Sequence, residues 1–173
     1  MAVKDNAAEL TKAGDEIALA SRAKEQPEQF DDKHWFAAVR TGKLGICRAL
    51  VAAGLTPMRT RFDRAPLHFA ASSHKEEIIQ WLLELGADPN LQDSDGYKPL
   101  DLAFEFHESE PSPELVETLA KAGTEITVWT SVRMGDLNRC KALIEKSPYL
   151  LQAFSDEIAL TPLMVAARMN RLE

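Results

Sequence analysis

Histidine, carboxylate and cysteine are the residues of this chain with chemistry to offer. The densest group lies in RAPLHFAASSHKEEIIQWLLELGADPN, residues 64–90, where His68 and His74 stand among Glu76, Glu77, Glu84 and Asp88. Imidazole beside carboxylate is the pairing used for general acid–base catalysis and for metal ligation. His34 and His107 complete the histidines, and their spacing makes no metal site. Cys47 and Cys140 form neither a Cys-x-x-Cys pair nor a zinc pattern. The chain holds no Gly-x-Ser-x-Gly, His-Glu-x-x-His, P-loop or Gly-x-Gly-x-x-Gly. The pairs Glu76/Glu77 and Asp93/Asp95 fall on faces that the patterning leaves to solvent. The expectation is a non-catalytic chain with no metal and no cofactor.

The bulk composition bounds the alternatives. The chain has 173 residues, 45% of them hydrophobic and 27% charged, enough for one ordinary domain with a sizeable core. Aromatic content is 7%, so aliphatic packing must dominate. The net charge is −7 and the pI about 5.2, a balance that argues against nucleic acid as partner. No apolar run approaches the ~20 residues of a membrane span. Residues 1–20 carry Lys4, Asp5, Glu9, Lys12, Asp15 and Glu16 and so read as no secretory leader. The expectation is a soluble cytoplasmic protein with reduced thiols.

The elements that must position these residues recur along the chain. RAPLHFAASSH (64–74), YKPLDLAFEFH (97–107) and ALTPLMVAARMN (159–170) each carry Pro-Leu, with Ala three residues after the Leu. Amphipathic runs ending in Gly follow the first two, EEIIQWLLELGADPN (76–90) and PELVETLAKAGTEIT (113–127), and an earlier one is GKLGICRALVAAGLTP (42–57). Taking Gly42, His74, His107, Gly135 and Asn170 as the ends of successive first helices, the spacings are 32, 33, 28 and 35. A period near 33 residues predicts a stack of helix–turn–helix units. Pro66, Pro99 and Pro162 suit first-turn positions, and Thr161 suits an N-cap. Ile78, Ile79, Leu82 and Leu83 make one apolar stripe on a second helix. Gly54, Gly86 and Gly123 suit helix C-termini.

These residues resemble the ankyrin repeat, whose pattern runs Asp-x-x-Gly-x-Thr-Pro-Leu-His-x-Ala-Ala-x-x-Gly-His-x-Glu-Ile-Val-x-x-Leu-Leu-x-x-Gly-Ala-Asp-x-Asn. Residues 63–90 match it through Pro66, Leu67, His68, Ala70, Ala71, Glu77, Ile78, Leu82, Leu83, Gly86, Ala87, Asp88 and Asn90, and Asp93-Ser-Asp-Gly96 resembles the hairpin tip of the next unit. The resemblance spans about residues 33–173. It implies an all-α solenoid of helix–turn–helix units with short β-hairpin loops. The units are about 33–62, 63–95, 96–127, 128–158 and an incomplete 159–173, four repeats and a truncated fifth. It also implies that His68 ties adjacent repeats by hydrogen bonds, and that Cys47 and Cys140 fill buried positions. His74 and His107 stand where the family usually has Gly, near the negative end of a helix dipole.

The departures carry expectations of their own. Unit one has His34-Trp35-Phe36 in place of the Thr-Pro-Leu-His opening. Unit three carries a four-residue excess in Glu108–Pro113, between its helices, and no room for a full hairpin remains between units three and four. The sequence given stops at Glu173, where the second helix of unit five would begin. This reads as a fragment of a longer protein or as an end covered by another molecule. Residues 1–30 are unlike a repeat and read as a helix from about Asp5 to Lys24 that caps the stack.

Partners of this family resemble ligands laid across hairpin tips and first helices. Carried onto this sequence, the partner-binding residues are Arg61, Phe62 and Arg64 in one tip, Ser94, Asp95 and Tyr97 in the next, and Glu157, Ile158 and Leu160 in the last. Phe69, Ser72, Glu105 and Phe106 are their counterparts on first helices. Phe62 and Tyr97 are the expected aromatic anchors, and Arg59–Arg64 is a basic stretch in an acidic protein. The function implied is a scaffold or adaptor that binds another protein, with no nucleic acid and no membrane. The alternatives are a targeting module of a longer enzyme or membrane protein, and a bacterial toxin-neutralising immunity protein.

Overall fold

A computed structural model describes residues 21–22, 24–26, 30–105, 111–153 and 160–168. The expected capping helix of residues 5–24 lies almost wholly outside them, as does His107. The described residues contain nine α-helices: α1 (Asp32–Thr41), α2 (Leu44–Ala52), α3 (Pro66–Ser72), α4 (Glu76–Glu84), α5 (Pro99–Glu105), α6 (Pro113–Lys121), α7 (Val128–Met134), α8 (Leu137–Lys146) and α9 (Pro162–Arg168). A 3₁₀ turn follows α8 at Pro148–Leu151. First helices stack on first helices, α1 on α3, α3 on α5, α5 on α7 and α7 on α9, and α4 packs on α6. The fold is an all-helical solenoid.

Each first helix opens with a cap, and the residue doing the capping differs from unit to unit. Asp31 caps α1, accepting from the amides of Lys33 (2.9 Å) and His34 (3.2 Å), and its Oδ1 also accepts from His34 Nδ1 at 2.7 Å. Helix α1 therefore starts at Asp32 and runs for ten residues, against seven for α3. Ala65 has no capping oxygen. Its helix relies on Pro66 at the first turn and on His68 Nδ1, which accepts the Ala65 N–H at 3.2 Å. In unit three Asp101 does the work of His68, taking the Lys98 N–H at 3.1 Å. Thr127 and Thr161 cap α7 and α9 through their hydroxyls, at 3.1 and 3.3 Å.

The apolar stripes of both helix layers close on one core. Trp35, Ile46, Leu50, Leu67, Ile78, Leu82, Leu100, Leu115 and Leu119 are all fully or almost fully buried. The Trp35 and Trp81 rings meet edge to face with centroids 6.2 Å apart. Trp35 thus joins the first helix of unit one to the core. Cys47 and Cys140 are buried thiols. Burial, and behind it the charge of Asp136, raises the Cys140 pKa, which disfavours the thiolate.

Polar bonds join unit to unit at the crowded backbone approaches. His68 Nδ1 accepts from Ala65, so its Nε2 carries the hydrogen and donates to the Tyr97 carbonyl at 3.1 Å. Burial lowers the His68 pKa, against the opposing pull of the Tyr97 carbonyl and Asp93, and keeps the ring neutral. His74, at φ +52°, closes α3 in the left-handed region that glycine would occupy, and its Nε2 lies 2.8 Å from the Ala103 carbonyl in the next unit. Its role is therefore a cross-repeat bond, which goes beyond the helix-dipole effect expected of it. Between units three and four, where the hairpin is absent, Asp101 Oδ1 accepts from Thr130 Oγ1 (3.0 Å) and Arg133 Nη1 (3.2 Å), all three residues being buried.

Candidate functional site

The first tip is a two-residue hairpin. Arg61 and Arg64 form an antiparallel bridge, with N–H···O bonds of 2.9 and 3.1 Å in the two directions. Phe62 and Asp63 fill the turn at φ +53° and +58°. Two consecutive positive φ values are the geometry of a type I′ turn, which favours Asn-Gly. Side chains with a Cβ at both places put strain into the turn. Phe62 points outward and is 77% exposed.

Arg61 lies within cation–π distance of two aromatic rings. Its guanidinium lies 5.0 Å from the Phe62 ring centroid and 6.0 Å from that of Phe36. Phe36 and Phe69 meet at 4.9 Å, joining α1 to α3. A cleft of about 280 Å³ opens here, lined by Lys33, Phe36, Ala37, Arg40, Arg61 and Phe69. Four of these residues, Lys33, Phe36, Ala37 and Arg40, recur at i, i+3, i+4 and i+7 on α1 and so share one helix face.

The second tip is built differently. Asp93 is buried and organises the loop: Oδ1 accepts from the amides of Asp95 (3.0 Å) and Tyr97 (2.9 Å), and Oδ2 accepts from Arg64 Nε at 2.7 Å. Arg64 Nη2 also reaches Asp95 at 3.4 Å. The first tip is therefore tied to the second by one arginine. Further along, Asn90 accepts from the Glu125 amide at 2.7 Å and donates to the Gly123 carbonyl at 2.9 Å, pinning the short connection between units three and four.

Against these positions the sequence-predicted site residues divide. Arg61 and Phe69 come together at one cleft with Phe36, and Phe62 stands exposed beside Arg61. Ser94 and Asp95 are exposed at the second tip, and Arg64 spans the two tips. Ser72 is half-buried, its hydroxyl donating to the Phe69 carbonyl at 3.2 Å. Tyr97 is a correction: it is 8% exposed, packed under the tip with the Arg133 guanidinium 6.0 Å from its ring, so it is no exposed anchor. Its amide bond to Asp93 and its carbonyl bond to His68 turn the side chain inward. Leu160 is half-buried, its carbonyl accepting from Trp129 Nε1 at 3.0 Å. Glu105 ends α5, and its side chain lies outside the described residues, as do Phe106, Glu157 and Ile158.

Sequence reasoning passed over Lys33, Phe36 and Arg40. Their helical spacing was a usable signal, hidden because unit one departs from the repeat pattern. Among the described residues no group of three or more His, Cys, Asp or Glu could hold a metal, and no helix is long and apolar enough to cross a membrane.

Comparison with known proteins agrees with the repeat geometry. Residues 17–93 and 34–130 match the family model described as ankyrin repeats (3 copies). Alpha-latrocrustotoxin-Lt1a of Latrodectus tredecimguttatus is 34% identical over 76 residues, covering 43% of this chain and 5% of that protein. Ankyrin repeat and SOCS box protein 5 of Bos taurus is 34% identical over 68 residues, 39% of this chain and 21% of that protein. ARF GTPase-activating protein GIT1 of Homo sapiens is 26% identical over 138 residues, 79% of this chain and 17% of that protein. The chain thus spans about a fifth or less of the length of these relatives. With the family model covering more than half of the sequence, and with helix pairs, tips and cross-repeat histidine bonds in place, the chain belongs to the ankyrin-repeat family.

Proposed function

We propose that this chain acts as a non-catalytic recognition module that presents its hairpin tips and first helices to a partner protein. Ankyrin repeats are protein–protein interaction modules, and that coarse assignment follows from the family. The finer one, an adaptor surface made by these particular residues, rests on the first tip. There an exposed Phe62 sits on a strained turn beside an arginine whose guanidinium lies near two aromatic rings. Strain retained at an exposed aromatic is the pattern of a contact residue, because the turn would be more stable with Asn-Gly. A pre-formed surface also lowers the ordering cost of association. We assign the chain to the cytoplasm, on its two buried thiols.

A second reading is favoured by one observation. The matched relatives are far longer than the aligned segment, so the recognition surface can serve as the targeting part of a larger protein.

The test is site-directed photo-crosslinking in the source cells. A crosslinker at Phe62 or Ser94 is expected to capture a protein, whereas one at Lys141 or Lys146 on α8 is not. Capture from α8 with none from the tips would sink the reading.

A further inference from the structure

Charge is distributed unevenly along this chain. Residues 31–64 contain seven Lys/Arg and three Asp/Glu, a balance of +4, while residues 65–173 contain nine and eighteen, a balance of −9. The basic unit is thus one turn of the solenoid set against an acidic remainder. Within it Arg59 pairs with Asp32 and Arg64 with Asp93, so those two arginines are committed to structure. Lys33, Arg40 and Arg61 make no ion pair among the described residues, and all three line the same cleft, over Phe36 and Phe69.

We propose that this cleft binds an acidic peptide segment of a partner protein, one apolar side chain seated against the Phe36–Phe69 pair at its half-buried Phe69 edge and flanking Asp or Glu carboxylates meeting Arg61, Arg40 and Lys33. The inference rests on the tip-face reading above and names the partner's chemistry. Arg61 carries the argument. Its guanidinium carbon lies 5.0 Å from the Phe62 ring centroid and 6.0 Å from that of Phe36, which holds the cation at the cleft, where its N–H groups suit a carboxylate. Arg40 and Lys33 lie on the shared face of α1, one helical turn away from the Phe36–Ala37 floor on either side. A volume of about 280 Å³ holds one large apolar side chain with its backbone.

The same charge map separates a peptide from a nucleic acid. A long polyanion laid along the stack would leave the basic unit and run over units whose balance is −9. A short acidic segment engages unit one alone and escapes that repulsion. Restriction to one partner class follows from the repulsive units as much as from the attractive one.

The experiment uses the full chain and a fluorescein-labelled peptide of about twelve residues, ~40 Å when extended, made of Glu and Asp around one central Phe. Anisotropy at about 50 mM salt is expected to show binding that weakens at about 300 mM. Amide shifts are expected to cluster at residues 33–40 and 61–69. The double variant Arg40→Glu/Arg61→Glu is expected to lose roughly tenfold or more in affinity, while Lys141→Glu/Lys146→Glu, with the same charge change on α8, loses about twofold or less. Circular dichroism confirms that both variants fold. No binding, shifts elsewhere, equal losses in the two variants, or a single-stranded oligonucleotide binding as tightly as the peptide would each overturn the proposal. If any of these occurs while the crosslinker at Phe62 or Ser94 still captures a protein, the tip-face reading stands and only the acidic-peptide assignment falls. Capture from α8 alone removes both.

Discussion

At the scale of single residues, the histidines and carboxylates that looked chemically capable are taken up by structure. His68 spends one nitrogen on its own helix start and the other on the Tyr97 carbonyl. Its folded pKa lies below its ordinary value near 6.5, so the unfolded chain binds the proton more readily. Stability should accordingly be level above about pH 7.5 and fall as pH drops through ~6.5 toward the folded value. Urea midpoints at about pH 7.5 and 5.5 should show this fall in the native chain and a smaller one in His68→Gln. Asp101 gives a sharper test. It stands where the family has His, and it faces Arg133 with both side chains under a tenth exposed. Asp101→Ala removes a buried carboxylate from a buried cation and should cost about 3–5 kcal/mol in urea unfolding. A loss under ~1 kcal/mol would show that Arg133 finds solvent or another acceptor instead.

At the scale of elements, the tip hairpins decide more than the helices do. The first tip holds Phe62 and Asp63 at positive φ without a glycine. Asp63→Gly should therefore raise stability by about 1 kcal/mol, read as an increase in melting temperature. A decrease would mean that the Asp63 side chain makes a compensating bond in the turn. The second tip reaches its geometry through Asp93, whose carboxylate gathers two amides and Arg64. Helix starts tell a related story. Unit one has no Thr-Pro-Leu-His, yet Asp31 and His34 close an equivalent cap and lengthen α1 to ten residues. That length carries Lys33 and Arg40 onto the face beside Phe69, so a departure from the repeat pattern builds the cleft.

At the scale of the whole molecule, each unit is held by its neighbours, so protection should follow position in the stack. Amides of α3 and α4, flanked by described helices on both sides, should exchange slowest with deuterium, and those of α9, where Leu163 and Met164 are 69% and 50% exposed, fastest. Uniform exchange across all units would contradict a neighbour-coupled stack. The sequence by itself determined the period, the helix pairs and the buried stripe, because Pro-Leu, paired aliphatics and terminal Gly act within one or two turns of chain. It also marked His68 as a tie between repeats through the family pattern. It did not reveal that Tyr97 turns inward, since that depends on Asp93 and His68 drawing its backbone under the tip from residues 4 and 29 positions away. Nor did it join Arg61 to Phe36, or Asp101 to Arg133. Those pairs are 25 and 32 residues apart in sequence; the first meets because the tip folds back onto α1 within unit one, the second because unit four stacks on unit three.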